Sequence, residues 1–182
     1  MAKNKKALAG SDRALAGSDR APADPIGGTG VTWRALAGEA LAAREFAFVP
    51  HSGFKVGAAV LTPSSRVFRG CNVESAALPL TNCAERVAIQ KAVSEGERSI
   101  LAVAVAGDAS YLRRTKASVG ATERGDEGPL DRFVTPCGAC RQVIFEFGPE
   151  APVLLVDLDG GWRLTSAREL LPGGFRLEGF EG

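Results

Sequence analysis

Cys83 and Glu85 stand two positions apart in LTNCAERVAI, residues 80–89, at what reads as the first turn of a helix. In mid-helix, residues i and i+2 point in different directions and share no site. At an N-terminus every Cα–Cβ bond leans toward the helix start, so both side chains reach into the space beyond it. The positive end of the helix dipole lies there and favours a thiolate or a carboxylate. A second stretch, TPCGACRQ at 135–142, has Thr135 in the N-cap position, Pro136 at the first helical position, and Cys137 and Cys140 three positions apart on one side. Together Cys83, Cys137 and Cys140 offer three thiolates at two helix N-termini. Three protein ligands leave the fourth position of a tetrahedral zinc ion open, the pattern of a catalytic site. Water bound in such a position is acidified to a pKa of about 7, and Glu85 is the nearby proton carrier.

Other chemistries fit parts of the pattern. Asn82 and Glu85 have capping-box spacing, so Glu85 could serve the helix start alone. The Cys-x-x-Cys pair could be a redox pair, or half of a structural zinc site with Cys71 as the fourth ligand. Cys71 sits in an apolar strand context and reads more simply as a small buried hydrophobe. The sole histidine, His51, follows Pro50 in a turn and is the remaining conventional ligand. Either half of the pattern is weak evidence, whereas the two together, each opening a helix, are strong.

These residues need elements to position them. Trp33, Leu36, Ala37, Ala40 and Leu41 follow helical spacing with Thr32 as N-cap, and Pro50 ends the run. FKVGAAVLT (54–62) and RVFRGCNVE (66–74), parted by the turn cluster PSS, predict a hairpin. A helix over 82–95, a strand over 100–107, a helix over 136–147 and a strand over 151–158 come next. GWRLT (161–165) reads as a short strand and SARELLP (166–172) as a short capped helix. This alternation argues for an α/β protein with helices on both faces of a mixed sheet. Two segments stand outside it. Residues 1–30 carry the tandem repeat ALAGSDR at 7–13 and 14–20, offer few large apolar side chains, and predict a disordered tail. The polar stretch 108–131 predicts a long loop.

Composition bounds the partners. The 182 residues are 45% hydrophobic, enough for one domain with a sizeable core, here 31–182. Lys and Arg number 22 against 21 Asp and Glu, so the formal charge of +1 argues against nucleic acid and for a small-molecule substrate. No segment approaches the roughly 20 apolar residues of a membrane helix, and the N-terminus lacks the apolar run of a leader. The expectation is a soluble, cytoplasmic protein whose four cysteines are thiols rather than a disulfide framework.

The blocks PHSGFKVGAAV (50–60), GCNVES (70–75), TNCAERVAI (81–89), TPCGACRQVIFEF (135–147) and ELLPGGF (169–175) together resemble the cytidine deaminases of the small homotetrameric type. A ligand-x-Glu followed by Pro-Cys-x-x-Cys is the known signature of zinc deaminases. The resemblance implies a three-layer α/β/α sandwich with a mixed five-stranded sheet, and zinc held by Cys83, Cys137 and Cys140. Glu85 would shuttle protons during hydrolytic deamination of cytidine and 2′-deoxycytidine to uridine and 2′-deoxyuridine, a step of pyrimidine salvage. Phe54 would pack on the pyrimidine, Asn72 and Glu74 would bind the sugar hydroxyls, and Ala84 would let its backbone approach the base. Arg86 would draw negative charge from the sulfurs. Phe175 would reach into a neighbouring subunit's pocket, so that each site is shared in a homotetramer. The chain departs from the family pattern at His51, where the family has Tyr, at SAALPL (75–80), and in the length of 108–131. A deaminase of a nucleoside antibiotic of the blasticidin S type shares the zinc core, but Arg86 and the Asn72-x-Glu74 pair favour ordinary nucleosides. The alternative of another class is a zinc module that uses metal only to fold.

Overall fold

The computed structural model describes residues 26–111, 133–159 and 161–176. The expected tail up to residue 25 and the loop over 112–131 lie outside the described residues. Helix α1 (Trp33–Arg44) leads into a hairpin of β1 (Val56–Leu61) and β2 (Val67–Cys71), then helix α2 (Ala84–Ser94) and strand β3 (Ala102–Gly107). Helix α3 (Gly138–Phe147), strands β4 (Pro152–Asp157) and β5 (Trp162–Ser166), and the short helix α4 (Ala167–Leu170) complete the order. The sheet runs β2-β1-β3-β4-β5, with β3 and β4 parallel and the other pairs antiparallel. It is the mixed five-stranded sheet of an α/β fold.

Alternation along the central strands makes two cores. Ala58, Val60, Val103, Val105, Val153 and Leu155 face a layer that includes Ala88 and Ile89 of α2, Ile144 and Phe145 of α3, and Leu170 of α4. Ala59, Leu61, Ala102, Ala104, Leu154 and Val156 face Trp33, Leu36, Ala37 and Ala40 of α1. Each large side chain removed from water contributes roughly 1.5–3 kcal/mol before ordering costs. Ile26 is buried in the second core beside Trp33, so the folded part begins earlier than the expected boundary near residue 31.

Two glycines set how close the helices sit. A Cβ on Gly57 would lie 2.1 Å from the Ala40 carbonyl oxygen of α1, and one on Gly70 would lie 2.3 Å from the Ala84 carbonyl oxygen and 2.4 Å from the Ala88 nitrogen of α2. Gly70 thereby fixes α2, and with it the residues at its N-terminus, against the edge of the sheet.

The expected elements are all present, with shifted ends. Thr32 caps α1 by accepting from the Ala35 N–H at 3.1 Å, but the helix stops at Arg44 rather than at Pro50. Beyond it Phe48 donates to the Asn72 carbonyl and accepts from the Glu74 N–H, at 3.0 and 2.9 Å. That strand-like pairing pulls the chain off the helical path.

Candidate active site

The N-cap of α2 is Cys83, and the N-cap of α3 is Cys137. Sequence favours Asn82 and Thr135 there, because their oxygens can cap. Instead, neither capping cysteine makes a side-chain cap hydrogen bond, and both sulfurs turn away from their helices toward each other. Cys83 Sγ and Cys137 Sγ are 3.7 Å apart, and Cys137 Sγ and Cys140 Sγ 3.5 Å. All three sulfurs lie within 4.8 Å of one another. Tetrahedral zinc with Zn–S bonds of about 2.3 Å needs sulfurs roughly 3.8 Å apart, so the cluster has the spacing of a zinc site. Among the described residues it is the one group of its kind. Cys71 is elsewhere, its Sγ 3.4 Å from the Phe46 carbonyl oxygen.

Electrostatics distinguish Cys83 from Cys140. Cys83 is pulled down to about 5 by the thiol of Cys140, with Cys137 and the Arg86 guanidinium adding to the effect against the cost of burial. Cys140 moves up, because its proton is held toward Cys83 and it is buried. The cluster thus already concentrates thiolate character at Cys83, which prepares it for a cation. Arg86 Nη2 is 2.7 Å from the Thr81 carbonyl oxygen and 4.0 Å from Cys83 Sγ, so it faces one sulfur of the three.

Glu85 follows at the second position of α2 and is 3% exposed. With Cys83 rather than Asn82 as the cap, the capping-box geometry does not form. Burial pushes the Glu85 carboxyl up to about 7, its own backbone N–H opposes this, and the charge on Cys83 adds to it. A carboxyl poised near neutrality can accept a proton and return it. Ala84, fully buried, separates it from Cys83.

A second group lies one strand away. Asn72 is buried, and its amide is engaged with backbone: Oδ1 accepts from the Val56 N–H at 2.8 Å and Nδ2 donates to the Phe54 carbonyl at 2.8 Å. An amide NH₂ carries a second hydrogen, so Asn72 can position Phe54 and still donate once more. Glu74 accepts from the Ser52 hydroxyl, from the His51 N–H at 2.8 Å and from the Ser52 N–H at 3.2 Å. Those donors, the hydroxyl first, hold its carboxyl below the usual range. His51 takes part through its backbone. Phe175 is 68% exposed, and its carbonyl accepts from Gln142 Nε2 of α3 at 3.0 Å. The fold therefore brings Cys83, Ala84, Glu85, Arg86, Cys137 and Cys140 into one cluster and ties Phe54, Asn72 and Glu74 into another. Phe175 stays at the surface of its own chain. Ser52 carries no sequence signal, because its role depends on Glu74, 22 residues away.

The model of the cytidine and deoxycytidylate deaminase zinc-binding region matches residues 33–156. A cytidine deaminase of Sporosarcina psychrophila is 45% identical over 144 residues, covering 79% of this chain and 90% of the relative. A blasticidin-S deaminase of Bacillus cereus is 31% identical over 64% of this chain and 74% of its own. The crystal structure of cytidine deaminase from Burkholderia pseudomallei superposes with a TM-score of 0.65 at 42% identity, covering 80% of this chain and all of that one. With a family model spanning both cysteine motifs and a fold shared with a solved relative, the chain belongs to the zinc-binding cytidine and deoxycytidylate deaminase family.

Proposed function

We propose that the protein catalyses hydrolytic deamination of cytidine and 2′-deoxycytidine, consuming water and giving uridine or 2′-deoxyuridine and ammonia. The observation that carries this reading is Glu85, buried and raised to about 7 beside three sulfurs at zinc spacing. When bound by Cys83, Cys137 and Cys140, zinc supplies a Lewis acid that makes water a nucleophile at neutral pH. Glu85 takes one proton of the attacking water and passes it to N3 of the pyrimidine, then takes the second from the hydroxyl now on C4 and delivers it to the amino group, so that the C4–N bond breaks to release ammonia as the C4 carbonyl forms. Phe54 lines the base, Ala84 admits the base to the α2 backbone, and Asn72 and Glu74 bind the sugar. Arg86, facing Cys83, offsets the negative charge of the sulfurs. Loss of the cytidine ultraviolet absorbance with matching ammonia release is the expected result for zinc-loaded protein. A protein that binds zinc but leaves cytidine and 2′-deoxycytidine unchanged is instead a folding module, and turnover of blasticidin S alone moves the substrate class.

The proposed assembly is a homotetramer with shared sites, acting in pyrimidine salvage in the cytoplasm. Support comes from large apolar side chains exposed on the single chain, Phe46, Phe48, Leu78, Leu80 and Phe175, which a partner surface would cover. Among the described residues no helix is long and apolar enough to cross a membrane. Light scattering reads the assembly directly, and Phe175→Ala is expected to lower kcat/KM without removing zinc. A fully active monomer overturns the shared site.

A further inference from the structure

The chain leaving β3 places an aromatic ring that belongs to none of the deaminase motifs. Asp108 Oδ1 accepts from the Ser110 N–H at 2.9 Å and from the Tyr111 N–H at 3.3 Å, and the Asp108 carbonyl accepts from the Tyr111 N–H at 3.2 Å. Gly107 pairs with Val56 across β3 and β1, so this turn and Phe54 emerge from the same end of two hydrogen-bonded strands. The Tyr111 and Phe54 rings stack there, centroids 5.0 Å apart at 26°. The Tyr111 hydroxyl donates to the Ser52 carbonyl. Ser52 in turn donates to Glu74, and its hydroxyl accepts from the Phe54 N–H at 2.9 Å. Tyr111 thus grips one short segment twice, by its ring at Phe54 and by its hydroxyl at Ser52.

We propose that Tyr111 is a positioning residue for nucleoside binding, holding the Phe54 ring as a pre-formed wall for the pyrimidine and steadying the segment that orients Glu74. The inference rests on the deaminase reading above. Phe54 is only partly buried, and a ring free to change rotamer has to be ordered when the base binds. Tyr111 meets that ordering cost in advance, which affects binding rather than the proton transfers at Glu85.

The test is steady-state deamination of cytidine by zinc-loaded wild type, Tyr111→Ala, Tyr111→Leu and Tyr111→Phe. Loss of an aromatic pair of this kind should raise KM about five- to tenfold. In the Ala and Leu variants kcat should stay within about twofold and zinc content should not change. Tyr111→Phe keeps the stack and should recover most of the KM. In a Phe54→Ala background Tyr111→Ala should add less than about twofold, because its action passes through that ring. A KM that is unchanged or lowered in Tyr111→Ala, a phenylalanine variant no better than alanine, or a full additive effect in the Phe54→Ala background each overturns the role. A wild type without turnover overturns the deaminase reading and this inference with it; a working wild type beside an indifferent Tyr111→Ala overturns the role of Tyr111 alone.

Discussion

Val73 and Asn82 exchange backbone hydrogen bonds, each N–H donating to the other's carbonyl, at 2.9 and 3.0 Å. Val73 stands between Asn72 and Glu74, and Asn82 immediately precedes Cys83. The pair therefore couples the proposed sugar-binding residues to the cysteine cluster through two backbone hydrogen bonds, with no side chain intervening.

The two groups it joins carry different chemistry, so side-chain effects on binding and on metal should separate. Glu74→Ala should raise KM for cytidine by about tenfold, with zinc content intact. Since the Ser52 hydroxyl and two N–H groups hold the Glu74 carboxyl low, it remains ionised through mildly acid pH. Wild-type KM should accordingly show no rise between pH 8 and 6 that Glu74→Ala abolishes.

Metal analysis should separate the four cysteines. Replacing Cys83, Cys137 or Cys140 by alanine is expected to remove most of the zinc, whereas Cys71→Ala, whose sulfur faces the Phe46 carbonyl, should retain it. Full zinc in Cys83→Ala with loss in Cys71→Ala would show the ligand set to be wrong.

Glu85→Gln preserves shape but carries no proton, so turnover should fall by about 10²–10⁴ with zinc and fold retained. The same variant reads the buried carboxyl in metal-free protein. Folding raises the Glu85 pKa from 4.5 to about 7, so its stabilising contribution is full below 4.5 and is lost as pH rises through 7. Metal-free Glu85→Gln should therefore gain on metal-free wild type between pH 5 and 8, by on the order of 3 kcal/mol. A gap in Tm that shrinks over that range would contradict the assignment.

Gly70→Ala puts a methyl group into the α2 backbone. Overpacking of this kind costs about 1–3 kcal/mol, and here it should also loosen zinc by displacing Cys83. Gly38, on the exposed side of α1, has nothing within 4 Å of a built Cβ, and Gly38→Ala should stabilise by roughly 0.5–1 kcal/mol. Thermal unfolding of the two variants gives shifts of opposite sign.

What could be read from sequence was local chemistry at fixed spacing. Thr32 as cap of α1 is one case, and the capping box of Ser166 and Glu169 on α4 is another. The three-cysteine cluster was legible because Cys-Ala-Glu and Pro-Cys-x-x-Cys each mark a helix start. The caps themselves were misplaced by one residue at α2 and two at α3, since capping preferences describe oxygens that serve a helix, and these sulfurs face each other instead. Ser52 and Tyr111 were illegible for a different reason. Their partners are brought up by the sheet from 22 and 59 residues away, and neither residue type announces such a contact. Likewise nothing local stops α1 at Arg44; the pairing of Phe48 with Asn72 and Glu74 does so.

The uncapped sulfurs have a consequence for handling the protein. Without zinc, Cys83 is a half-exposed thiol with a pKa of about 5, within 3.7 Å of Cys137, itself 3.5 Å from Cys140. Thiolates of this kind are the ones that dissolved oxygen or peroxide converts to sulfenic acid, which a neighbouring thiol then captures as a disulfide. Chelation in air is therefore a one-way treatment unless a reductant is present. Protein stripped under reducing, oxygen-free conditions should regain its metal, and protein stripped on the open bench should not.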